Sequence, residues 1–497
     1  MSPAQILRVE SHDRTDRSES LLILSDVHLG SDLNELTAGV RRSKRVDTDL
    51  VSLLAHYGSS PCPSGRWRLV IAGDFIDFIG MTLLPGDRAL CTQPSDEERA
   101  HGLGNSADHT RVKLAAAMSR HHEVFVALAR FVAAGHAITI VHGNHDVDFH
   151  WEGVQSDLRE ALVSLAASAH VPGVHAGDVG SRIEFAPWFY YVDKVAYVEH
   201  GHQYDTLCST EHVMAPISPL DPRQIARSFS DVLLRFVVRP TRGLPEYGHE
   251  SMGLADYVLF AARLGARGLV QLGLRFASAV VELFRLRRAH LSEAARALRE
   301  DHERRVASFA VATRLGIERL RALASLQVPP VTRSAEKILA SVLLDRLGVA
   351  VFAAMAVAGV VAVSHWYPWC WTALAGVAAG WWLVQRHLAA RRRAWFGEHL
   401  DNHETLAERA GHLARLFPAA FVVMGHTHVP MRIPVAQGTA TYVNVGSWHE
   451  AEAGQEGEGG GFRAARTHLV IHPALGGVAA PTAEFMTWSP EGPRKFS

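Results

Sequence analysis

The sequence predicts an α/β fold, on three observations. Short apolar, β-branched runs recur at 21–24, 67–72, 137–141, 195–198 and 421–424. Each stops abruptly in a cluster of Asp, Asn, His and Gly. Stretches with helical spacing lie between them: 47–57, and 112–134, where Leu114, Met118, Val124, Leu128 and Phe131 fall mostly on one helical face. Continuous apolar runs of this length read as buried strands. An α/β fold places its chemistry at the carboxyl ends of such strands.

Length and composition set the bounds. A chain of 497 residues suits two or three domains, and 48% hydrophobic with 20% charged residues supports a sizeable core. The net charge of −1 argues for no particular partner of the chain as a whole. Cys62, Cys91, Cys208 and Cys370 are scattered with no CxxC pair. That spacing speaks against a disulfide framework or a zinc-thiolate site and for a reducing compartment. Residues 1–20 are polar and charged, lack the apolar core of a secretory signal, and read as a flexible N-terminus.

The chemistry lies at the strand ends. The run 21–24 leads to Asp26 and His28, two apart and so on one side of an extended chain. The run 67–72 leads to Gly73-Asp74-Phe75-Ile76-Asp77, and 137–141 to Gly143-Asn144-His145-Asp146. The run 195–198 leads to Glu199-His200-Gly201-His202, and 421–424 to Gly425-His426-Thr427-His428. One such end is an ordinary turn. Five ends sharing one ligand chemistry point to a metal centre. Carboxylate, imidazole and amide oxygen without thiolate suit manganese, iron, zinc or magnesium, with manganese favoured. The candidates are too many for one ion. Two divalent ions sharing a carboxylate would use them, and such a pair clamps a phosphate and lowers the pKa of a bridging water.

These blocks resemble the calcineurin-like metallophosphoesterase superfamily, whose pattern is DxH, GDxxD, GNHD, a His followed by Gly, and GHxH. All five stand here in order, and the resemblance covers roughly 21–204 and 417–472. It implies an αββα sandwich, two mixed β-sheets packed face to face with helices outside. It also implies roles. Asp26, His28 and His428 would hold one metal, Asn144, His200 and His426 the other, and Asp74 would bridge them. His145 would protonate the leaving oxygen or stabilise the transition state, with Asp77 orienting it. The stretch from Glu199 to Asp205 looks like a bacterial branch that includes UDP-2,3-diacylglucosamine hydrolases, which split a lipid-linked pyrophosphate. Those hydrolases usually carry Arg where this chain has His145, which leaves the substrate open. His202 reads as a turn residue or as facing substrate. Asp146 reads as a loop holder that accepts from backbone N–H groups. The segment 80–104, with Pro85-Gly86 and Pro94, reads as a surface connection or as a lid over the site.

The phosphoesterase part is thereby split into 21–205 and 413–497 by an insertion at 206–412 whose ends must lie close together. Between Arg223 and Arg333 it holds 19 arginines, no lysine and 10 acidic residues, so it is basic. A basic module suggests an anionic surface, lipid or nucleic acid. The run 254–286 carries Arg263, Arg267, Gln271 and Arg275 as one polar stripe, for a packed helix or an interfacial one. A charged helix follows at 290–325, and Pro329-Pro330 breaks it. Residues 347–363 are 17 uncharged residues. An aromatic turn at 364–371 contains Trp366, Tyr367, Trp369 and Trp371, a second uncharged run covers 372–384, and Arg391, Arg392 and Arg393 follow. This reads as an apolar helical hairpin within 342–385, inserted in a membrane as transmembrane helices, with the catalytic part on the cytoplasmic side. A buried helix pair or a dimer contact is the alternative. Arginine-rich helices and hairpin are expected to form a separate module. Further on, 400–417 reads as a helix, 439–445 and 469–472 as strands, and 452–461 as a flexible loop.

The functional expectation is a dinuclear-metal-dependent phosphoesterase. It would hydrolyse a phosphate ester or pyrophosphate of a membrane-associated, lipid-linked substrate by metal-activated hydroxide. The alternatives are a phosphatase of soluble nucleotides or phosphoproteins, a nuclease, and a non-enzymatic metal-bound scaffold.

Overall fold

The computed structural model describes residues 19–36, 45–168, 176–241, 264–341, 344–364, 366–396, 402–449, 466–474 and 480–496. The flexible N-terminus expected up to residue 18, the first part of the helix expected at 254–286, and the loop expected at 452–461 fall outside them.

Twelve strands among the described residues form two sheets. In chain order they are β1 (Ser20–Leu24), β2 (Trp67–Ala72), β3 (Ala137–Val141), β4 (Ile183–Ala186), β5 (Tyr190–Val192), β6 (Ala196–Val198), β7 (Phe421–Met424), β8 (Met431–Val435), β9 (Ala440–Asn444), β10 (Thr467–His472), β11 (Thr482–Ser489) and β12 (Gly492–Lys495). The seven-stranded sheet runs β12-β11-β10-β1-β2-β3-β4, and the five-stranded sheet runs β5-β6-β7-β9-β8. Both are mixed. In the first, β1 to β4 are parallel and β10 to β12 pair antiparallel. In the second, the parallel set is β6, β7 and β9, with β5 and β8 antiparallel at the edges.

Side-chain alternation fixes the layers, because neighbours on a strand face opposite ways. Leu21 and Ile23 share an apolar layer with Val70, Ala72 and Leu469 of the first sheet and with Ala196, Val198, Val423 and Val443 of the second. Leu22 and Leu24 point the other way, into a core with Leu50 and Leu53, Phe125 and Leu128, and Leu158 and Leu162. Those residues belong to the helices Arg45–Ser59, His122–Ala133 and Glu152–Ser168. The outer face of the second sheet, with Tyr197, Val422, Met424 and Tyr442, is covered by Leu406, Ala410 and Leu413 of the helix Asn402–Leu416.

The segment expected as one helix at 112–134 is two, Ala107–Arg120 and His122–Ala133. The break is at His121, whose ring is held from both sides. Its Nε2 accepts from Gly30 N at 3.0 Å and its Nδ1 bonds Asp47 Oδ1 at 2.8 Å.

The insertion departs from expectation in two ways. Not all of its helices stand apart from the sheets. Val306, Phe309 and Ala310 of Glu293–Thr313, and Leu320 and Leu323 of Ile317–Leu326, complete the apolar cover of the second sheet. That sheet face needs more apolar cover than one helix supplies, and these helices provide it. A second group does form its own core: Phe229, Val232 and Val237 pack on Leu272, Ala279 and Leu283 of the helix Gly265–Ala289, with Ile338.

The hairpin is present as two mutually packed helices, Leu344–Ser364 and Ala373–Phe396, joined by the 3₁₀ turn Pro368–Thr372. The expectation that it spans a membrane finds no helix to carry it. Among the described residues no helix is long and apolar enough to cross a membrane. The uncharged run 347–363 is itself short. At 1.5 Å per residue it reaches roughly 25 Å, against a hydrocarbon core of about 30 Å. The helix pair is nonetheless bare: Phe352 is 70%, Trp366 71% and Trp369 71% exposed.

Candidate metal centre

All five polar blocks follow strands that are central in their sheets, and all five meet at one place. The exits of β1, β2 and β3 supply Asp26, His28, Asp74, Asp77, Asn144 and His145. The exits of β6 and β7 supply His200, His426 and His428. The turns are tight. Asp26, His28, Asp74, His426 and His428 all have positive φ, between 52° and 70°. That is the left-handed region, uncommon for residues with a Cβ, and such outliers gather at functional sites. The glycines in these blocks make room. A Cβ on Gly73 would lie 2.4 Å from His200 Nδ1, and one on Gly425 would lie 2.3 Å from Asp26 Oδ2.

Each carboxylate has one oxygen pinned by backbone and one turned inward. Asp26 Oδ2 accepts from His426 N at 3.0 Å, while Oδ1 faces His428 Nε2 at 3.1 Å and His28 Nε2 at 3.8 Å. Asp74 Oδ1 accepts from His145 N at 2.8 Å, while Oδ2 faces His200 Nε2 at 3.2 Å and His28 Nε2 at 3.7 Å. Asp74 therefore stands between two groups of ligands. His200 Nε2 also lies 3.0 Å from Asn144 Oδ1, and its Nδ1 donates to Ala72 O at 2.9 Å.

That second bond orients the ring, as outer hydrogen bonds do for metal-binding histidines. The ligand atoms of Asp26, His28 and His428 all lie within 4.8 Å of one another, as do those of Asp26, Asp74 and His200. Asp26 Oδ1 is buried with no hydrogen-bond partner of acceptable geometry among the described residues. Oxygen and imidazole donors converging in this way fit divalent ions. Burial pushes the Asp74 carboxyl up, and His200, His145 and His28 pull it far below the usual carboxylate range.

Beside the ligands sits a His–Asp pair. His145 Nδ1 is 2.7 Å from Asp77 Oδ1, which also accepts from Gly80 N at 2.6 Å. Burial lowers the His145 pKa, but Asp77 and Asp74 more than offset it and push it up to about 10. Burial pushes Asp77 up, and His145, His28 and Arg239 hold it well below the carboxylate range. The neighbouring carboxylates thus favour the protonated ring of His145, and its Nδ1 is taken by Asp77.

Asp146 does hold its loop: Oδ1 accepts from Gly143 N at 2.6 Å and Oδ2 from Phe75 N at 2.8 Å. His202 lies in the short 3₁₀ turn His202–Tyr204, where burial lowers its pKa well below the usual value.

Three nearby groups escaped sequence reasoning. Asp205, in the quoted stretch from Glu199 to Asp205, bonds His426 Nε2 through Oδ2 at 3.1 Å. His449 packs edge-on to His28, centroids 5.6 Å apart. Arg239, from the insertion, donates from Nη2 to Ser31 O at 2.9 Å and lies beside Asp77. Nothing distinguished it among so many arginines.

The insertion also grips the segment 80–104, which is neither a bare connection nor a free lid. It contains the short helix Asp96–His101. Glu97 bonds Arg227 at 3.0 Å and pairs with Arg235. Arg235 also donates to Gly102 O at 2.6 Å, and Gln224 donates to Glu98 at 3.2 Å.

Comparison with protein-family models and with curated proteins gives no match for this chain.

Proposed function

We propose that this protein is a metal-dependent phosphoesterase built on an αββα sandwich with an inserted helical module. It would use two divalent ions, manganese first among them, to hydrolyse a phosphate ester or pyrophosphate. One observation carries the reading: a buried carboxylate, Asp74, faces both His28 and His200 and lies beside His145, whose Nδ1 is fixed 2.7 Å from Asp77. Asp26, His28 and His428 would hold one ion and Asn144, His200 and His426 the other, with Asp74 common to both. When bound, the ions would supply an activated water and offset charge on the phosphoryl oxygens. The chain's own groups then have defined work. Asp77 fixes the His145 tautomer, and His145 Nε2 gives its proton to the departing oxygen.

The substrate class follows from the hairpin. A surface as apolar as Phe352, Met355, Val361, Trp366, Trp369 and Leu383 is rare on a soluble monomer and marks an interaction site. Lying against a bilayer without crossing it, the hairpin would bring the metal centre to lipid-linked phosphates. The test is hydrolysis of lipid pyrophosphates, nucleotides, phosphopeptides and single-stranded DNA by purified protein with manganese, magnesium or zinc. Turnover of the lipid pyrophosphate far above the rest is expected. Preference for nucleotides or DNA would overturn the substrate assignment. No turnover of any, with no metal bound, would overturn the enzyme assignment.

A further inference from the structure

Resting on the dinuclear-metal reading, we infer that Asp205 is a positioning residue for His426: it fixes the ring tautomer so that Nδ1, not Nε2, faces the metal. Asp205 Oδ2 is 3.1 Å from His426 Nε2, and Oδ1 is held by the Leu207 N–H at 2.8 Å. With one oxygen anchored, the other has a fixed direction. A carboxylate only accepts, so the shared hydrogen belongs to His426 Nε2, and the lone pair is then on Nδ1.

The anchor itself is rigid. Asp205 is buried, and its carbonyl accepts from Ser209 N at 2.7 Å and Cys208 N at 3.1 Å. His426 is held at its other end, its backbone N–H donating to Asp26 Oδ2 at 3.0 Å. Its ring stands edge-on to His200, centroids 5.3 Å apart. One carboxylate, Asp26, thus sets the backbone of His426 and another, Asp205, sets its ring.

The position of Asp205 adds a second consequence. It is where the chain leaves the phosphoesterase part for the insertion, and Thr206 carbonyl accepts from Val331 N at 2.9 Å. Orientation of a metal-facing ring is therefore linked to the docking of the insertion. Outer carboxylates of this kind typically alter metal affinity 10- to 100-fold.

The competing geometry is that Asp205 is itself a ligand. Its carboxylate, Cys208 Sγ and His426 lie within 4.8 Å of one another and could hold an ion of their own. The experiment separates the two. Manganese binding to the full chain is measured by calorimetry for wild type, Asp205→Ala, Asp205→Asn and Cys208→Ala, with Asp221→Asn as a surface control. Wild type is expected to bind two ions. Asp205→Ala is expected to weaken one of them about 10- to 100-fold and leave the other unchanged. Asp205→Asn, which keeps an acceptor but not the charge, should lose less, and Cys208→Ala nothing. Cobalt substitution should show a changed visible spectrum in Asp205→Ala, as a re-oriented ligand requires. If Asp205→Ala does not fold, Asp205→Leu, which has similar size and no acceptor, decides. Unchanged affinity in Asp205→Ala, or equal weakening of both ions, overturns the proposal. A third ion lost in both Asp205→Ala and Cys208→Ala overturns it in favour of a ligand role. Wild type binding no ion would instead refute the dinuclear reading beneath it.

Discussion

The strand ends and the insertion use charge in opposite ways. At the strand ends, carboxylates and imidazoles crowd together with their inward atoms facing each other, and backbone N–H groups pin the outward ones. In the insertion, arginines are matched to acids or carbonyls: Arg227 and Arg235 on Glu97, Arg333 on Glu211, Arg239 on Ser31 O. The first arrangement gathers its polar atoms around one point. The second is complete in itself and serves to dock one part of the chain on another. Part of the basic charge of the insertion is therefore used in holding it to the rest of the chain.

Substitutions can break or sharpen that contrast. The largest effect is expected from Asp74→Ala. Elemental analysis should find a fall from about two ions per chain to none, with loss of activity, because both ligand groups lean on this carboxylate. Loss of a single ion would reduce Asp74 to an ordinary ligand. Next comes His145→Ala, which should keep its ions yet slow hydrolysis of poor leaving groups by roughly 10²–10⁴, the range for a general acid. Activated aryl phosphates should be slowed less, since their leaving group needs no proton. An equal loss on both would point to charge stabilisation instead.

On the other side of the contrast, Arg235→Ala should leave metal content intact and cost about 2–3 kcal/mol in chemical denaturation, through lost bonds to Glu97 and the Gly102 carbonyl. Unchanged stability would mean the docking arginines are decorative. The same contact has a pH signature. Burial raises the Glu97 carboxyl, but Arg227 and Arg235 pull it down to about 2 from 4.5. Its contribution is full above 4.5 and is lost as pH falls from there through about 2. Denaturation of wild type and Glu97→Gln should therefore converge across that window and differ above it. The smallest effect on catalysis is expected from Trp366→Ser with Trp369→Ser. Hydrolysis of a water-soluble ester should be unchanged, while vesicle binding should weaken about tenfold, or about 1.4 kcal/mol. Vesicle binding as tight as wild type would remove the membrane from the hairpin's role.

The residues that converge at the strand ends were legible because the central strands are mostly apolar and their polar exits stand out against them. The strands that escaped notice are at the edges or in hairpins. Ile183–Ala186 has one fully buried residue, and Met431–Val435 alternates exposure along its length, so neither contrasts with its surroundings. The helix break at His121 was hidden because its cause is tertiary: a ring bonded to Gly30 and Asp47. The cover of the second sheet by Val306, Phe309 and Leu320 was hidden for the same reason, since an amphipathic helix does not say which surface it will meet. The apolar hairpin was legible as two helices, because two long uncharged runs flank an aromatic turn.

The parallel pairing of β6 with β7 has a consequence for how the molecule assembles. Ala196 pairs with Phe421, so two adjacent strands in one sheet are separated by about 220 residues of chain. The four parallel strands β1 to β4 can register with one another as soon as residue 186 is made. The second sheet cannot close until the whole insertion has emerged, and only then do His426 and His428 meet Asp26. Pairings of such sequence separation are slow to form. During synthesis the chain can therefore pass through a stage with β1 to β4 paired, while β10 to β12 of the same sheet and the histidines of the fifth block are still to come. The insertion's own core, from Phe229 to Ile338, is complete before that final closure, so it can draw the two ends of the unfinished sheet together.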